Sequence, residues 1–380
     1  MHLVRTRIFV LLAVFALAPS AFAALPIPAP PALQASSYMV LDANSGRVVA
    51  SMAPDTQVEP ASLTKLMTAY VVFQALAAEQ IKLTDMVPIT SNAQSTGGSR
   101  MFIEQGSRVP VEDLLQGMIV QSGNDASVAL AEYVAGTEAV FADLMNAYAV
   151  ELGMLSTNFQ NATGLPGDQH YSTARDMATL ARAIITEFPE YYAWYSQKSY
   201  SWNDISQDNR NRLLWQDSTV DGMKTGYTRA AGYCLVSSAV RNDMRLISAI
   251  MGTGSAKARI DASQALLNYG FRFFETRKLY ADNQEVDTVR VWKGENDQTR
   301  LGVTRDIFVT VPRGSWDELR PAVVLRRELY APIDAGTQVA QLSVTLDGEE
   351  LVSEPLATLD PVAKGGLWKR MTDEVKLWME

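Results

Sequence analysis

The residue pattern predicts an α+β chain that carries a second, all-β unit, and three observations support this. Two short alternating apolar runs, 37–41 and 47–52, flank Asn44-Ser45-Gly46, a hairpin signal. A series of helix-spaced runs follows, and strand-like runs return at 222–228, 233–240 and 244–251. Beyond residue 282 the chain changes to short alternating runs separated by turns. Strands at both ends of a helical series predict an antiparallel sheet closed by its first and last strands, with a helical layer against it.

Taken in order, the first helix runs from Ser62 to about Glu79, with Pro60 at its approach. Residues 91–99 are polar, contain glycine and read as a loop. A helix is expected over 109–120, broken by Ser122-Gly123-Asn124-Asp125 before another over 126–134 that Gly136 ends. Helices over 141–152 and 174–186 flank the loop Gly164-Leu165-Pro166-Gly167. Asn242-Asp243 turns the last two strands of the sheet, and a helix covers 256–269. The domain plan is a signal peptide over 1–23, a linker over 24–36, a catalytic unit over 37–278, a β-rich unit over 279–360 and a terminal helix over 361–380.

Composition narrows the function. With 47% hydrophobic and 20% charged residues, the 380-residue chain can bury a large core and a smaller one. Arg5 and Arg7, the apolar run 8–18 and Ala21-Phe22-Ala23 read as a cleaved secretory signal. Its loss takes the net charge from −9 to −11, and with no basic stripe nucleic acid is not a partner. Cys234 is the only cysteine, so no intrachain disulfide forms. His2 leaves with the signal and His170 alone remains, which argues against a His-rich zinc site; no metal or cofactor is expected. A Ser-His-Asp triad would have to use His170.

Ser62 and Lys65 share one helix face, one turn apart, and no other serine here has lysine three residues on. A serine hydroxyl needs a base, and a lysine can serve once burial or a second cation lowers its pKa. The apolar run after Lys65 would supply that burial. Downstream stand Ser122-Gly123-Asn124 and Lys224-Thr225-Gly226. In the latter, Gly226 lets a ligand backbone approach, Lys224 offers a cation and Thr225 a hydroxyl. Each motif alone is weak: Ser201-Trp202-Asn203 repeats the Ser-x-Asn pattern. The three in this order behind a signal peptide form a strong signal.

On these motifs the chain resembles the low-molecular-mass penicillin-binding proteins, serine-type D-alanyl-D-alanine carboxypeptidases, and the resemblance spans roughly 37–276. Gly97-Gly98-Ser99-Arg100-Met101-Phe102, Tyr171-Ser172-Thr173-Ala174-Arg175-Asp176-Met177 and Asp221-Gly222-Met223-Lys224-Thr225-Gly226-Tyr227-Thr228 extend it. It implies a penicillin-binding/β-lactamase-like fold. It implies Ser62 as nucleophile, Lys65 as base and Ser122 as proton relay. Asn124 would hold a substrate amide. Lys224, Thr225 and Arg259 would hold the terminal carboxylate, and Lys224 would also depress the Lys65 pKa. Backbone N–H groups of Ser62 and Tyr227 would form the oxyanion hole. Arg210 matches a family position without a role carried over, and Tyr227 stands where some relatives carry histidine. The implied ligands are peptidoglycan stem peptides and β-lactam antibiotics; a homodimer is left open.

Two other readings share parts of this pattern. A class A-like β-lactamase would need a Glu-x-x-Leu-Asn segment between Asp125 and Lys224, and none is present. A wall or division scaffold with a vestigial site is disfavoured by the intact motifs. At the C-terminus, Leu367, Trp368, Met371, Val375, Trp378 and Met379 fall on one helical arc. Lys369, Thr372, Asp373, Lys376 and Glu380 lie opposite, and Leu377 is the stray. The stretch is too short to span a bilayer, and its two tryptophans suit an interface. The expected location is the periplasmic face of the inner membrane, peripherally bound.

Overall fold

The computed structural model describes residues 27–379, so the expected signal peptide and Glu380 lie outside the described residues. The central sheet has five strands in the order β2-β1-β5-β4-β3. They are β1 (Ser37–Asp42), β2 (Val48–Met52), β3 (Val220–Thr228), β4 (Gly232–Arg241) and β5 (Met244–Thr253). All pairs are antiparallel, and β1 from the N-terminal end zips against β5 from the far end, Val40 opposite Ser248. Strand alternation buries apolar residues on both faces: Met39 and Leu41 face one core, Tyr38 and Val40 the other.

The first core holds the helical layer. Helix α1 (Thr64–Ala77) is its axis, with twelve of its fourteen residues buried, so it is apolar on every side rather than along one stripe. Around it stand α2 (Val111–Gln121), α3 (Asn124–Ala135), α4 (Glu138–Glu151) and α5 (Ala174–Glu187). The second core lies under α6 (Ala256–Phe273). The segment expected as a linker is not free where it is described. Leu33 and Ala35 pack into this second core, and Pro28 O accepts a hydrogen bond from Tyr269 Oη at 2.9 Å.

Several elements differ from the sequence expectation. Residues 91–95 form a short helix, because Thr90 caps it by accepting from Ala93 N–H at 3.1 Å. Residues 108–110 are a strand paired with Met86–Pro88 before α2 begins. A hairpin joins Ser199–Trp202 to Ile205–Asp208 through Asn203-Asp204, both at positive φ. The same dipeptide at Asn242-Asp243, again with both residues at positive φ, turns β4 into β5.

Helix α6 runs on to Phe273 and passes straight into β6 (Phe274–Tyr280), which among the described residues pairs only with β9 (Ile307–Pro312). The polypeptide therefore joins the second unit several residues before 279. That unit also contains β7 (Glu285–Trp292), β8 (Gln298–Gly302), β10 (Arg320–Leu325), β11 (Leu329–Tyr330), β12 (Gln338–Leu346) and β13 (Glu349–Thr358). Their sheet order is β10-β12-β13-β8-β7-β11 over a core of Val289, Leu301, Leu342, Val344 and Leu356. β10 and β11 are separate short strands with residues 326–328 between them. The buried carboxylate of Asp42 stitches the units together, accepting from Ser45 N–H (2.7 Å) and Thr276 Oγ1 (2.7 Å). Helix α7 (Leu367–Met379) closes the chain.

Candidate active site

Ser62 sits in a 3-10 turn, Ala61–Leu63, that leads into α1. Ala61 takes positive φ (49°), a conformation a non-glycine residue adopts only when neighbours impose it. The neighbours are β3 and the loop 161–167. A Cβ on Gly164 would stand 1.8 Å from Ala61 O, so only glycine allows that loop to lie against the turn. A Cβ on Gly226 would stand 3.0 Å from Pro60 O and 3.3 Å from the Ala61 side chain. The space glycine provides at 226 on the Cβ side is thus filled by the chain's own nucleophile turn, while Gly226 also lines the cavity at Ser62.

Lys65 Nζ lies 3.3 Å from Ser62 Oγ and donates to Asn124 Oδ1 (2.6 Å) and Thr163 O (2.5 Å). Burial in the helical core lowers its pKa from 10.5 to about 7, with Arg210 adding to the fall and Asp125 and Glu138 opposing it. Lys224 Nζ donates to Ser122 Oγ (2.8 Å). Its pKa is pushed well below the usual lysine range by burial first, then by Lys65, Arg210 and Arg259. Burial is the first cause at both amines, and the repulsion between Lys65 and Lys224 adds to it. Burial therefore disfavours the protonated form of both amines.

The cavity at Ser62 has a volume of about 330 Å³ and is lined by Ser62, Ser122, Thr225, Gly226, Tyr227 and Arg259, together with Ser99, Arg210, Tyr233 and Ala256. Lys65, Asn124 and Lys224 stand behind this lining. Within the protein Asn124 Oδ1 accepts from Lys65 and Nδ2 donates to Gly97 O at 2.6 Å, which leaves the amide one N–H and one lone pair. Asn124 thus positions Lys65, a role the sequence did not give it. Lys224 likewise holds Ser122 instead of facing the cavity, so the cationic charge at the lining comes from Arg259 and Arg210. Arg259, 8% exposed, donates to Gly226 O at 3.2 Å and lies over the Tyr233 ring. Tyr227 is half-exposed at the rim, its ring 4.3 Å from that of Tyr233. No carboxylate lines the cavity among the described residues, so the glutamate-activated water of a β-lactamase has no counterpart there.

His170 is not the base. Its Nδ1 accepts from Gln160 N–H (3.0 Å), which puts the proton on Nε2, 2.8 Å from Thr64 Oγ1. Burial, then Lys65, pushes its pKa down to about 4, so it stays neutral and fixes the loop. Cys234 is a free, buried strand residue whose thiol burial raises to about 11. Among the described residues no cluster of His, Cys, Asp and Glu could hold a metal.

Sequence reasoning missed three contributors. Thr163 acts through its carbonyl, which no side chain reports. Asn161 shapes the loop by accepting from Thr163 N–H, Thr163 Oγ1 and Gly164 N–H. Asp125 accepts from the N–H groups of Met101, Phe102 and Ile103, anchoring the segment that carries Ser99. Its place beside Ser122-Gly123-Asn124 was the available signal. Gly164→Ala tests this loop: we expect it to cost about 2–4 kcal/mol by urea unfolding and to slow acylation, since both positive φ and the Ala61 contact oppose a Cβ.

The D-alanyl-D-alanine carboxypeptidase family, peptidase S11, matches residues 25–255, and the penicillin-binding protein 5 C-terminal domain matches 274–364. The chain belongs to the D-alanyl-D-alanine carboxypeptidase family. It is 44% identical to the D-alanyl-D-alanine carboxypeptidase DacC of Escherichia coli K12 over 371 residues, 96% of this chain and 93% of that one. It is 43% identical to DacA of the same strain over 359 residues, 92% of this chain and 89% of that one. Penicillin-binding protein 5 of Haemophilus influenzae superposes with a TM-score of 0.84 at 41% identity, covering 89% of this chain and all of that one. Penicillin-binding protein D2 of Listeria monocytogenes, solved with ampicillin bound, has a TM-score of 0.58 at 30% identity, covering 63% of this chain and 98% of that one.

Proposed function

We infer that this carboxypeptidase removes the terminal D-alanine of peptidoglycan stem peptides through an acyl-Ser62 enzyme, and that β-lactams acylate the same serine. The observation that carries this reading is the buried Lys65 amine, 3.3 Å from Ser62 Oγ with its pKa near 7. Neutral Lys65 takes the Oγ proton as Ser62 attacks the carbonyl carbon between the two D-alanines. The C–N bond breaks, and Ser122, tied to Lys224, passes a proton to the departing amine. Water then releases the shortened peptide. Thr225, Arg259 and Arg210 meet the terminal carboxylate, and backbone N–H groups at Ser62 and Tyr227 stabilise the oxyanion. Strand β3 ends the sheet order, and its free edge beside the Ser62 turn suits an extended peptide added as a further strand. With no carboxylate lining the cavity, a β-lactam acyl-enzyme is expected to be long-lived. Intact mass after incubation with a D-Ala-D-Ala peptide, and separately with penicillin, tests this. A lasting adduct on Ser62 and loss of one D-alanine support it; rapid penicillin turnover or no adduct overturns it.

We propose further that α7 binds the membrane surface and that the enzyme works on the periplasmic face of the inner membrane after signal cleavage. Support comes from the way the helix sits. Its polar side faces the β unit: Asp373 is fully buried, accepts from Lys293 N–H at 2.8 Å and pairs with Lys369. Leu377, the stray of the apolar arc, is half-buried with them. The arc itself points to solvent, with Trp368 82% and Trp378 90% exposed. No helix among the described residues is long and apolar enough to cross a membrane. Truncation before Gly366 is expected to move the protein to the soluble fraction with its rate on small peptides unchanged; continued sedimentation with membranes would overturn the anchor.

A further inference from the structure

Arg259 reaches the cavity at Ser62 from the first turns of α6. Its Nη1 donates to two backbone carbonyls that face each other across β3 and β4, Gly226 O at 3.2 Å and Cys234 O at 3.5 Å. Among the described residues no carboxylate pairs with it. Nε is buried without a partner and shut off from solvent, so Nη2 is the nitrogen left for a ligand. Two long bonds to one nitrogen fix a point of the guanidinium but not its plane. Arg210 lines the same cavity, and its like charge repels Arg259. An aromatic face opposes that repulsion. Arg259 Cζ lies 5.6 Å from the centroid of the Tyr233 ring, within the range of a cation–π contact.

Tyr233 is itself held. It is the direct cross-strand partner of Tyr227, so both side chains share one face of the sheet, and their rings lie 4.3 Å apart at 34°. Its carbonyl accepts from Thr253 Oγ1 at 2.9 Å, which ties β4 to the end of β5. The Tyr233 hydroxyl makes no hydrogen bond within the described residues, so the ring alone is in use. We propose that Tyr233 is a positioning residue: its ring, backed by Tyr227, sets the plane of the Arg259 guanidinium so that Nη2 meets the substrate's terminal carboxylate. The N–H bonds of a guanidinium lie in its plane, and a hydrogen bond weakens as the donor turns off axis. An arginine free to tilt keeps its charge and loses that bond. The proposal rests on the reading above that Arg259 binds this carboxylate, and it gives the Tyr227 ring a role beside that of its backbone N–H.

The test is the rate at which Ser62 is acylated by penicillin and by its methyl ester, followed as intact mass over time on the full-length protein. The ester keeps the reacting ring and lacks the carboxylate charge. Arg259→Gln is expected to slow penicillin about tenfold or more and so to narrow its advantage over the ester. Tyr233→Leu is expected to slow penicillin about threefold to tenfold and the ester much less. Tyr233→Phe, which keeps the ring, is expected to match wild type. Adding Tyr233→Leu to Arg259→Gln is expected to narrow the advantage no further, because the ring then has no guanidinium to hold. Equal slowing of penicillin and ester by Tyr233→Leu would show a structural role and overturn the proposal. A Tyr233→Phe as slow as Tyr233→Leu, or additive losses in the double variant, would overturn it too. If Arg259→Gln alone leaves the advantage of penicillin intact, the carboxylate reading of Arg259 fails and the positioning role with it, an outcome visible without any Tyr233 variant.

Discussion

Ser62→Ala is expected to abolish both D-alanine release and β-lactam labelling, with kcat falling on the order of 10⁶-fold, the scale seen when a nucleophile acting within a catalytic unit is removed. The residue sits in a turn whose backbone is held by Gly164, Gly226 and the Ala61 contacts, none of which involves its hydroxyl. The fold and its melting temperature should therefore stay as in wild type, which separates loss of chemistry from loss of structure. Single-turnover assays with a D-Ala-D-Ala peptide and gel detection with a fluorescent penicillin measure the two losses. Labelling at the wild-type level, mapped to another residue, would remove Ser62 from the mechanism.

The second large effect is at Lys65. Lys65→Arg keeps the charge but cannot yield a proton acceptor near neutral pH, so acylation should be lost almost as fully as with Ser62→Ala. In wild type the acylation rate should rise with pH through about 7 as Lys65 becomes neutral. The same shift has a stability consequence. Unfolded Lys65 holds its proton up to about 10.5, whereas folded Lys65 gives it up near 7, so between these values the unfolded state binds more protons. The penalty of burying Lys65 is full below pH 7, shrinks as pH rises and is gone above 10.5. One proton corresponds to about 1.4 kcal/mol per pH unit, so Lys65 adds roughly 2 kcal/mol of stability between pH 7.5 and 9. Lys224 acts with the same sign, so Lys65→Met should reduce this slope rather than flatten it. Urea titrations at the two pH values measure the difference; an unchanged slope would mean that Lys65 stays charged in the fold.

Missed and found elements follow a physical pattern. Asn242-Asp243 was legible as a turn because strong apolar alternation flanks it. The same dipeptide at Asn203-Asp204 turns a hairpin whose first strand, Ser199–Trp202, alternates, but whose second, Ile205–Asp208, has one apolar residue and is mostly exposed, so no matching run announced the pair. Strand β6 was hidden because α6 enters it without a loop, and its pairing with β9 is made across 27 residues of sequence or more. At the C-terminus the apolar arc was visible in the spacing, but the burial of Asp373 on the opposite side depends on Lys293, 80 residues away.

At the site, the sequence by itself determined which groups carry chemistry. Ser62, Lys65, Ser122, Lys224 and Thr225 are side-chain identities at short spacings, and a helix or strand period is enough to predict that each set faces one way. Tertiary structure decided what those groups do. Whether Lys65 is a base depends on the burial of α1 on all sides, and Arg210, folded back from far along the chain, lowers both amines further. Asn124 became a ligand of Lys65, and Gly226 a contact with the nucleophile turn, because distant segments fill the space around them. Thr163 contributes a carbonyl that every residue type carries, so only the folded chain could select it. Residue identity sets the reactivity available, while desolvation and the partners at hydrogen-bond distance set protonation state and direction, and both are properties of contacts made far along the chain.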